Sequence, residues 1–86
     1  MDTFAIRFKY LRKSENLTQT EIAKILDTTN SSICDWECQR SEPSLFMLAK
    51  ICYFFKISAD YLIGLEDETG GKTYNNYGVH NGNVKF

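Results

Sequence analysis

Eighty-six residues, 43% apolar and 14% aromatic, supply material for one hydrophobic core and no second, which excludes a multidomain chain, wholesale disorder and most enzyme scaffolds. Ten basic against eleven acidic residues leave a net charge of -1, so composition provides no basic footprint for a polyanion and no attraction to acidic membranes. No apolar run reaches signal-peptide or membrane-span length, and three cysteines without a secretion signal read as reduced thiols, so a soluble, cytoplasmic chain is expected.

Phe4, Phe8 and Leu11 recur at helical spacing, with Arg7, Lys9, Arg12 and Lys13 on other faces, which predicts a first helix. Thr18 and Glu21 are spaced as a capping box, and Leu17 and Ile22 as a hydrophobic staple, at the start of a short second helix that runs to Asp27-Thr28. Thr29 is the expected N-cap of a third helix, with Ile33 and Trp36 as its apolar side and Asn30, Ser31, Cys34 and Asp35 on the other. Pro43 interrupts the chain and Ser44 caps a fourth helix, LFMLAKICYFF, whose apolar residues cover most of its circumference; this predicts the central core helix. A fifth starts at Ser58, with Ile57 and Leu62 as a second staple, and stops at Gly64.

Composition changes after Leu65, from aliphatic and glycine-poor to rich in Gly, Asn and Tyr. The expected organisation is therefore a compact all-α domain over residues 1–65 and a separate tail over residues 66–86. Within the tail, Asn81-Gly82 lies between two alternating segments, a strong hairpin signal that would place Tyr77, Val79, Val84 and Phe86 on one face. An isolated hairpin is marginal in water, so such a face needs a cover, for which a second copy of the chain would serve. These four residues are thus candidates for oligomerisation. The alternatives are a flexible polar tail, and a dimer contact made by Leu62, Ile63 and Leu65 at the end of helix five.

Two helices joined by a few residues, the second exposing small polar side chains near its start, form a helix-turn-helix arrangement. Ala23 is small where helices two and three must approach, while Ile33 and Trp36 fasten helix three and leave its other side outward. Leu11-Arg12, Leu17-Thr18-Gln19, Glu21-Ile22-Ala23, Ile33, Trp36-Glu37, Pro43-Ser44 and Asp60-Tyr61-Leu62 occur in an order and spacing that resembles the phage repressor and Cro-like helix-turn-helix family, of the xenobiotic-response-element type, over essentially all of residues 4–65. The resemblance implies a five-helix, lambda-repressor-like fold that places helix three in the major groove of double-stranded DNA. It implies base contacts from Asn30, Ser31 and Asp35, with Ser32 a weaker candidate. Asn30 suits bidentate contact with adenine, Ser31 is less selective, and Asp35 can accept from the cytosine amino group. Gln19 and Thr29, with the helix N-termini they open, are implied phosphate contacts, and Arg40 and Lys13 are the cations best placed for flanking phosphates. Arg12 and Glu37 are implied to pair and tie helix one to helix three.

Asp27 and Gln39 stand where the family usually has Gly. Asp tolerates the left-handed region well and Gln less so, at about 1 kcal/mol, so the loop from Cys38 to Glu42 is expected to be built differently. Glu42 also brings negative charge toward the phosphate side. Cys34 and Cys38 lie one helical turn apart, and Cys52 and His80 would complete a Cys3His set in number, but the ligands are too scattered for a structural zinc site; no metal and no cofactor is expected. No nucleophile–base constellation or Gly-rich phosphate loop is present, so the chain is not expected to be an enzyme. The expected function is a DNA-binding transcriptional regulator, a repressor acting as a homodimer on a two-fold symmetric operator. The alternative is a protein-interaction module, antitoxin-like or an adaptor, whose tail binds another protein.

Overall fold

A computed structural model describes residues 2–73, which form five helices: α1 (Asp2–Ser14), α2 (Gln19–Leu26), α3 (Asn30–Glu37), α4 (Leu45–Phe55) and α5 (Ala59–Ile63). Among the described residues the fold is all-α, and an isolated antiparallel bridge joins Glu66 and Lys72.

The helix starts are local chemistry. Thr18 Oγ1 accepts the Glu21 N–H at 3.1 Å while the Glu21 carboxylate accepts the Thr18 N–H at 2.8 Å, a complete capping box. Those hydrogen bonds hold the Glu21 carboxyl below its ordinary pKa, the Thr18 backbone N–H contributing most. Thr29, Ser44 and Ser58 cap α3, α4 and α5 by accepting the N–H of Ser32, Met47 and Tyr61.

The helix ends share a single device. After each helix one residue turns left-handed: Asn16, Asp27, Gln39, Lys56 and Gly64 in order. The next N–H then reaches back five residues to a helix carbonyl: Leu17 to Arg12, Thr28 to Ala23, Arg40 to Asp35, Ile57 to Cys52 and Leu65 to Asp60. Gly64 adopts this conformation without cost, and Asn16 and Asp27 at little, whereas Gln39 and Lys56 carry the Cβ penalty. The loop after α3 is therefore not built differently, contrary to the expectation from Gln39. The strain stays in that residue because two returning hydrogen bonds, Gln39 N–H to the Trp36 carbonyl at 3.3 Å and Arg40 N–H to the Asp35 carbonyl at 2.8 Å, hold the turn.

The core is built from α1, α2 and α3 with one residue from each later helix. Phe4, Phe8, Ile22, Ala23, Leu26, Ile33, Trp36, Ile51 and Leu62 form one buried cluster. Phe4 and Phe8 stack at 5.5 Å, and Trp36 meets Phe8 edge-on at 5.8 Å. Leu17 and Ile57 pack on the cluster, in keeping with the two staples.

The expectation that helix four is the central core helix is not met. Ile51 alone on α4 is fully buried; Met47, Leu48, Cys52, Phe54 and Phe55 are partly covered, and Leu45, Phe46 and Tyr53 are 85%, 73% and 87% exposed. α4 packs on α5 and α2 along one side, and among the described residues no further element covers the other.

The composition change after Leu65 does not coincide with the end of ordered contacts. Thr73 N–H donates to the Leu65 carbonyl at 3.0 Å, and Lys72 pairs with Asp60 at 3.0 Å and Glu66 at 3.5 Å. Arg7 donates to the carbonyls of Tyr61 and Glu66 and lies over the Tyr61 ring at 4.2 Å, so residues 66–73 are fastened to α1 and α5.

Candidate nucleic-acid interface

The α2–α3 connection is three residues, Asp27, Thr28 and Thr29, and these two helices make the most extensive pairing in the domain. Ala23, buried on α2, allows the close approach that the sequence suggested. On α3 the buried residues are Ile33 and Trp36. At three residues apart they lie on one side of the helix, which places Ser31 and Cys34 on the side away from the core, while Asn30, the first residue of the helix, stands on its flank and is exposed.

A second fastening is polar. Arg12 reaches Glu37 through Nε to Oε2 at 2.7 Å and Nη2 to Oε1 at 3.0 Å, while its Nη1 donates to the Leu17 carbonyl at 2.8 Å. The two side chains are 8% and 3% exposed, so this is a buried bidentate pair, and among the described residues no buried side-chain nitrogen or oxygen is left without a partner. It joins the end of α1 to the end of α3, as the resemblance implied. Gln19 adds to it by donating from Nε2 to Glu37 Oε1 at 3.1 Å. Sequence reasoning missed this contact. One carboxylate thus orients α1, the first residue of α2 and the last residue of α3 relative to one another. Such a network fixes geometry more than it adds net stability.

The candidate base-contacting residues separate into three groups. Asn30 and Ser31 are exposed on the first turn of α3. Ser32 is half-buried and engaged with Thr29, whose Oγ1 accepts the Ser32 N–H and donates to the Ser32 hydroxyl, both at 3.0 Å. Asp35 pairs with Arg40, Nε to Oδ1 at 3.0 Å, on the surface. This ion pair joins a candidate base contact to a candidate phosphate contact and was not foreseen. The hydrogen bond to Asp35 and the nearby cysteines raise the Arg40 pKa further, so its charge is constant. Its origin is the left-handed turn at Gln39, which folds the chain back so that residues five apart meet; the signal in the sequence was that turn position and not either charge.

Of the remaining phosphate candidates, Lys13 is exposed in the last turn of α1, and Thr29 is exposed at the α3 N-terminus. Gln19 is half-buried, its amide nitrogen held by Glu37. The first N–H groups of α2 and α3 have no partner inside their helices and carry the positive end of the helix dipole, which suits an anion. Glu42 is exposed in the loop before α4. The oligomerisation candidates Tyr77, Val79, Val84 and Phe86, and His80, lie outside the described residues. Of the helix-five alternative, Leu62 is fully buried and cannot make a dimer contact; Ile63 and Leu65 are half-buried.

All three cysteines are free thiols. Cys34 and Cys38 share a face, with their sulfurs 3.8 Å apart, and the hydrogen bond between them pushes the Cys34 thiol pKa up. Cys52 packs against the core, and burial pushes its thiol up too. No group of three or more metal-ligating side chains occurs among the described residues, nor is any described helix long and apolar enough to cross a membrane.

Comparison with known proteins gives a match of residues 5–68 to the helix-turn-helix domain family. The chain is 30% identical over 66 residues to the uncharacterized HTH-type transcriptional regulator YobD of Bacillus subtilis, covering 77% of this chain and 59% of that protein. It is 34% identical over 62 residues to an uncharacterized HTH-type transcriptional regulator of Methanocaldococcus jannaschii, covering 72% of this chain and 94% of that one. The HTH-type transcriptional activator BcrR of Enterococcus faecalis is 31% identical over 64 residues, covering 74% of this chain and 31% of BcrR. The chain thus spans less than two thirds of YobD and about a third of BcrR. No solved structure gives a significant match.

Proposed function

The chain belongs to the helix-turn-helix domain family, and from that premise we propose that it is a sequence-specific DNA-binding transcriptional regulator, a repressor that reads a two-fold symmetric operator as a homodimer in the cytoplasm. The observation that carries this reading is the double fastening of α3. Ile33, Trp36 and the Arg12–Glu37–Gln19 network hold the helix in place while Asn30 and Ser31 stay exposed at its first turn. A helix held so can enter the major groove N-terminus first, with Asn30 reading adenine and Ser31 supporting it. Ser32 and Thr29 act mainly through the cap they share, which aims the first N–H groups of α3 at a phosphate. Lys13 supplies a flanking cation. Arg40 supplies another when it leaves Asp35, and Asp35 is then free to accept from cytosine.

Eight basic and eight acidic residues through Leu65 make the domain itself neutral, so affinity rests on helix N-termini and hydroxyl or amide groups, with a shallow dependence on salt. A dimer would place the two recognition helices about 34 Å apart, one turn of DNA. The tail residues Tyr77, Val79, Val84 and Phe86 remain the proposed contact between protomers. Ile63, beside the exposed Leu45 and half-buried Leu48 around a cavity of about 210 Å³, is the helical alternative.

A second reading, a protein-interaction module, draws on one observation: Phe46 and Tyr53 stand exposed on α4 with Ile25 beside them. Selection of duplexes from a random pool by the intact protein at low salt separates the two. Enrichment of a palindromic sequence supports the regulator. Absence of any enriched sequence removes it and leaves the interaction module.

A further inference from the structure

The exposed side of α4 forms one wall of a groove. Phe46, Ala49, Lys50 and Tyr53 stand at i, i+3, i+4 and i+7, a stripe about 10 Å long on one face of the helix, and Ile25 of α2 lines the same groove, whose volume is about 550 Å³. Its surface is mostly apolar, yet its charge has a single sign. Lys50 Nζ donates to the carbonyl of Leu26, the last residue of α2, at 2.5 Å and lies 5.8 Å from the centre of the Phe46 ring, so that ammonium is held between the two helices. Lys56 is exposed just after α4. Among the described residues none that lines the groove is acidic, and α4 contains no Asp or Glu.

We propose that this groove docks an acidic amphipathic helix of another protein, which sets large apolar side chains between Phe46, Tyr53 and Ile25 and brings carboxylates to Lys50 and Lys56. A two-turn stripe facing a second helix is concave along one direction, which suits a rod laid into it more than a flat lipid surface. Aromatic side chains exposed together in such a groove are the usual anchors of a protein contact.

Charge decides against the other occupants. A two-fold contact between copies sets a patch against itself, and here that would oppose lysines to lysines with no carboxylate in the lining to separate them. The chain's own acidic run, Glu66 to Glu68, is engaged elsewhere: Glu66 pairs with Lys72 at 3.5 Å, Asp67 accepts the N–H groups of Thr69 and Gly71, and Glu68 lies 3.9 Å from Arg7. Residues 74–86 contain no Asp or Glu. The complementary carboxylates therefore come from a different protein. The groove takes up the exposed face on which the second reading above draws, but it shares no residue with the DNA-contact candidates, so it is compatible with DNA binding and is tested without DNA.

The test is selection of 16-residue peptides from a randomised displayed library on the full chain, with the Phe46→Ser, Tyr53→Ser double variant for counter-selection. The enriched peptides should carry large apolar residues at i, i+3 or i+4 and i+7, and an excess of Asp and Glu over Lys and Arg. With one such peptide, synthesised and labelled for fluorescence anisotropy, Phe46→Ser and Tyr53→Ser should each weaken binding about thirtyfold. Lys56→Glu should weaken it about fivefold and flatten its dependence on salt. The same peptide with its acids changed to Lys should prefer Lys56→Glu to the wild type. If Phe46→Ser lowers Tm, Tyr53→Ser, at the more exposed position, decides. No peptide that distinguishes the wild type from the double variant, or enrichment of neutral or basic peptides, overturns the proposal. So does a dimer, measured by light scattering without peptide, that Phe46→Ser dissociates, because the occupant is then a second copy. Binding to phosphatidylglycerol vesicles that Phe46→Ser abolishes, with no acidic peptide enriched, overturns it in favour of a lipid surface. If no duplex is enriched in the DNA selection, the regulator reading fails while the peptide selection still decides the groove.

Discussion

The most apolar helix of this domain and the helix proposed to read DNA have exchanged the places that composition would give them. α4 is apolar nearly all round yet presents Leu45, Phe46 and Tyr53 to solvent, while α3, with only Ile33 and Trp36 as large apolar residues, is held on two sides. Hydrophobicity states what a helix could bury, and neighbours decide what it does bury. α3 lies between α1 and α2, whereas α4 lies at the margin against α2 and α5. A site built on α3 therefore rests on the rigid part of the molecule, as a reading surface requires.

The contrast can be broken most severely at Trp36. Trp36→Ala should cost about 3–5 kcal/mol by opening a cavity beside Phe4 and Phe8, enough to unfold much of so small a domain, as measured by urea denaturation. Glu37→Ala should cost a similar or slightly smaller amount, about 3–5 kcal/mol, because it strands the buried Arg12 guanidinium and frees Gln19. Replacing Arg12 and Glu37 together by apolar residues should recover most of that loss, and failure to recover it would show that the pair contributes more than mutual compensation. Gln39→Gly acts in the opposite direction. It relieves the left-handed strain after α3 and should stabilise by about 0.5–1 kcal/mol, seen as a rise in Tm; a fall would mean that the turn is not strained. On α4, Phe46→Ser and Tyr53→Ser should change stability by less than about 0.5 kcal/mol despite the size of the side chains removed. A large loss at either position would show that this face is covered in the folded protein.

Much of this was legible in the sequence, because local chemistry is written locally. The capping box at Thr18 and Glu21, the caps at Thr29, Ser44 and Ser58, and the stop at Gly64 each depend on residues a few positions apart. Resemblance supplied the Arg12–Glu37 pair, which spans 25 positions and has no local signal. What stayed hidden depends on packing or on chain reversal. The exposure of α4 follows from which elements exist to cover it. The Asp35–Arg40 pair and the seating of Gln39 follow from a helix-end turn that brings residues five apart together. The fastening of residues 66–73 through Arg7 and Lys72 was hidden because a Gly- and Asn-rich composition says little about long-range hydrogen bonds to α1 and α5. Asn30 and Ser31 emerged where the sequence put them, and Ser32 and Thr29 were found serving each other.

The central claim is that the first turn of α3 reads bases while the rest of the helix holds it in place. Its most direct measurement is the affinity of the wild type and Asn30→Ala for the duplex enriched by selection and for an unrelated duplex, at one salt concentration. The loss expected for Asn30→Ala is about 1–3 kcal/mol on the enriched duplex and close to none on the unrelated one. An equal loss on both, or no loss on either, would contradict it.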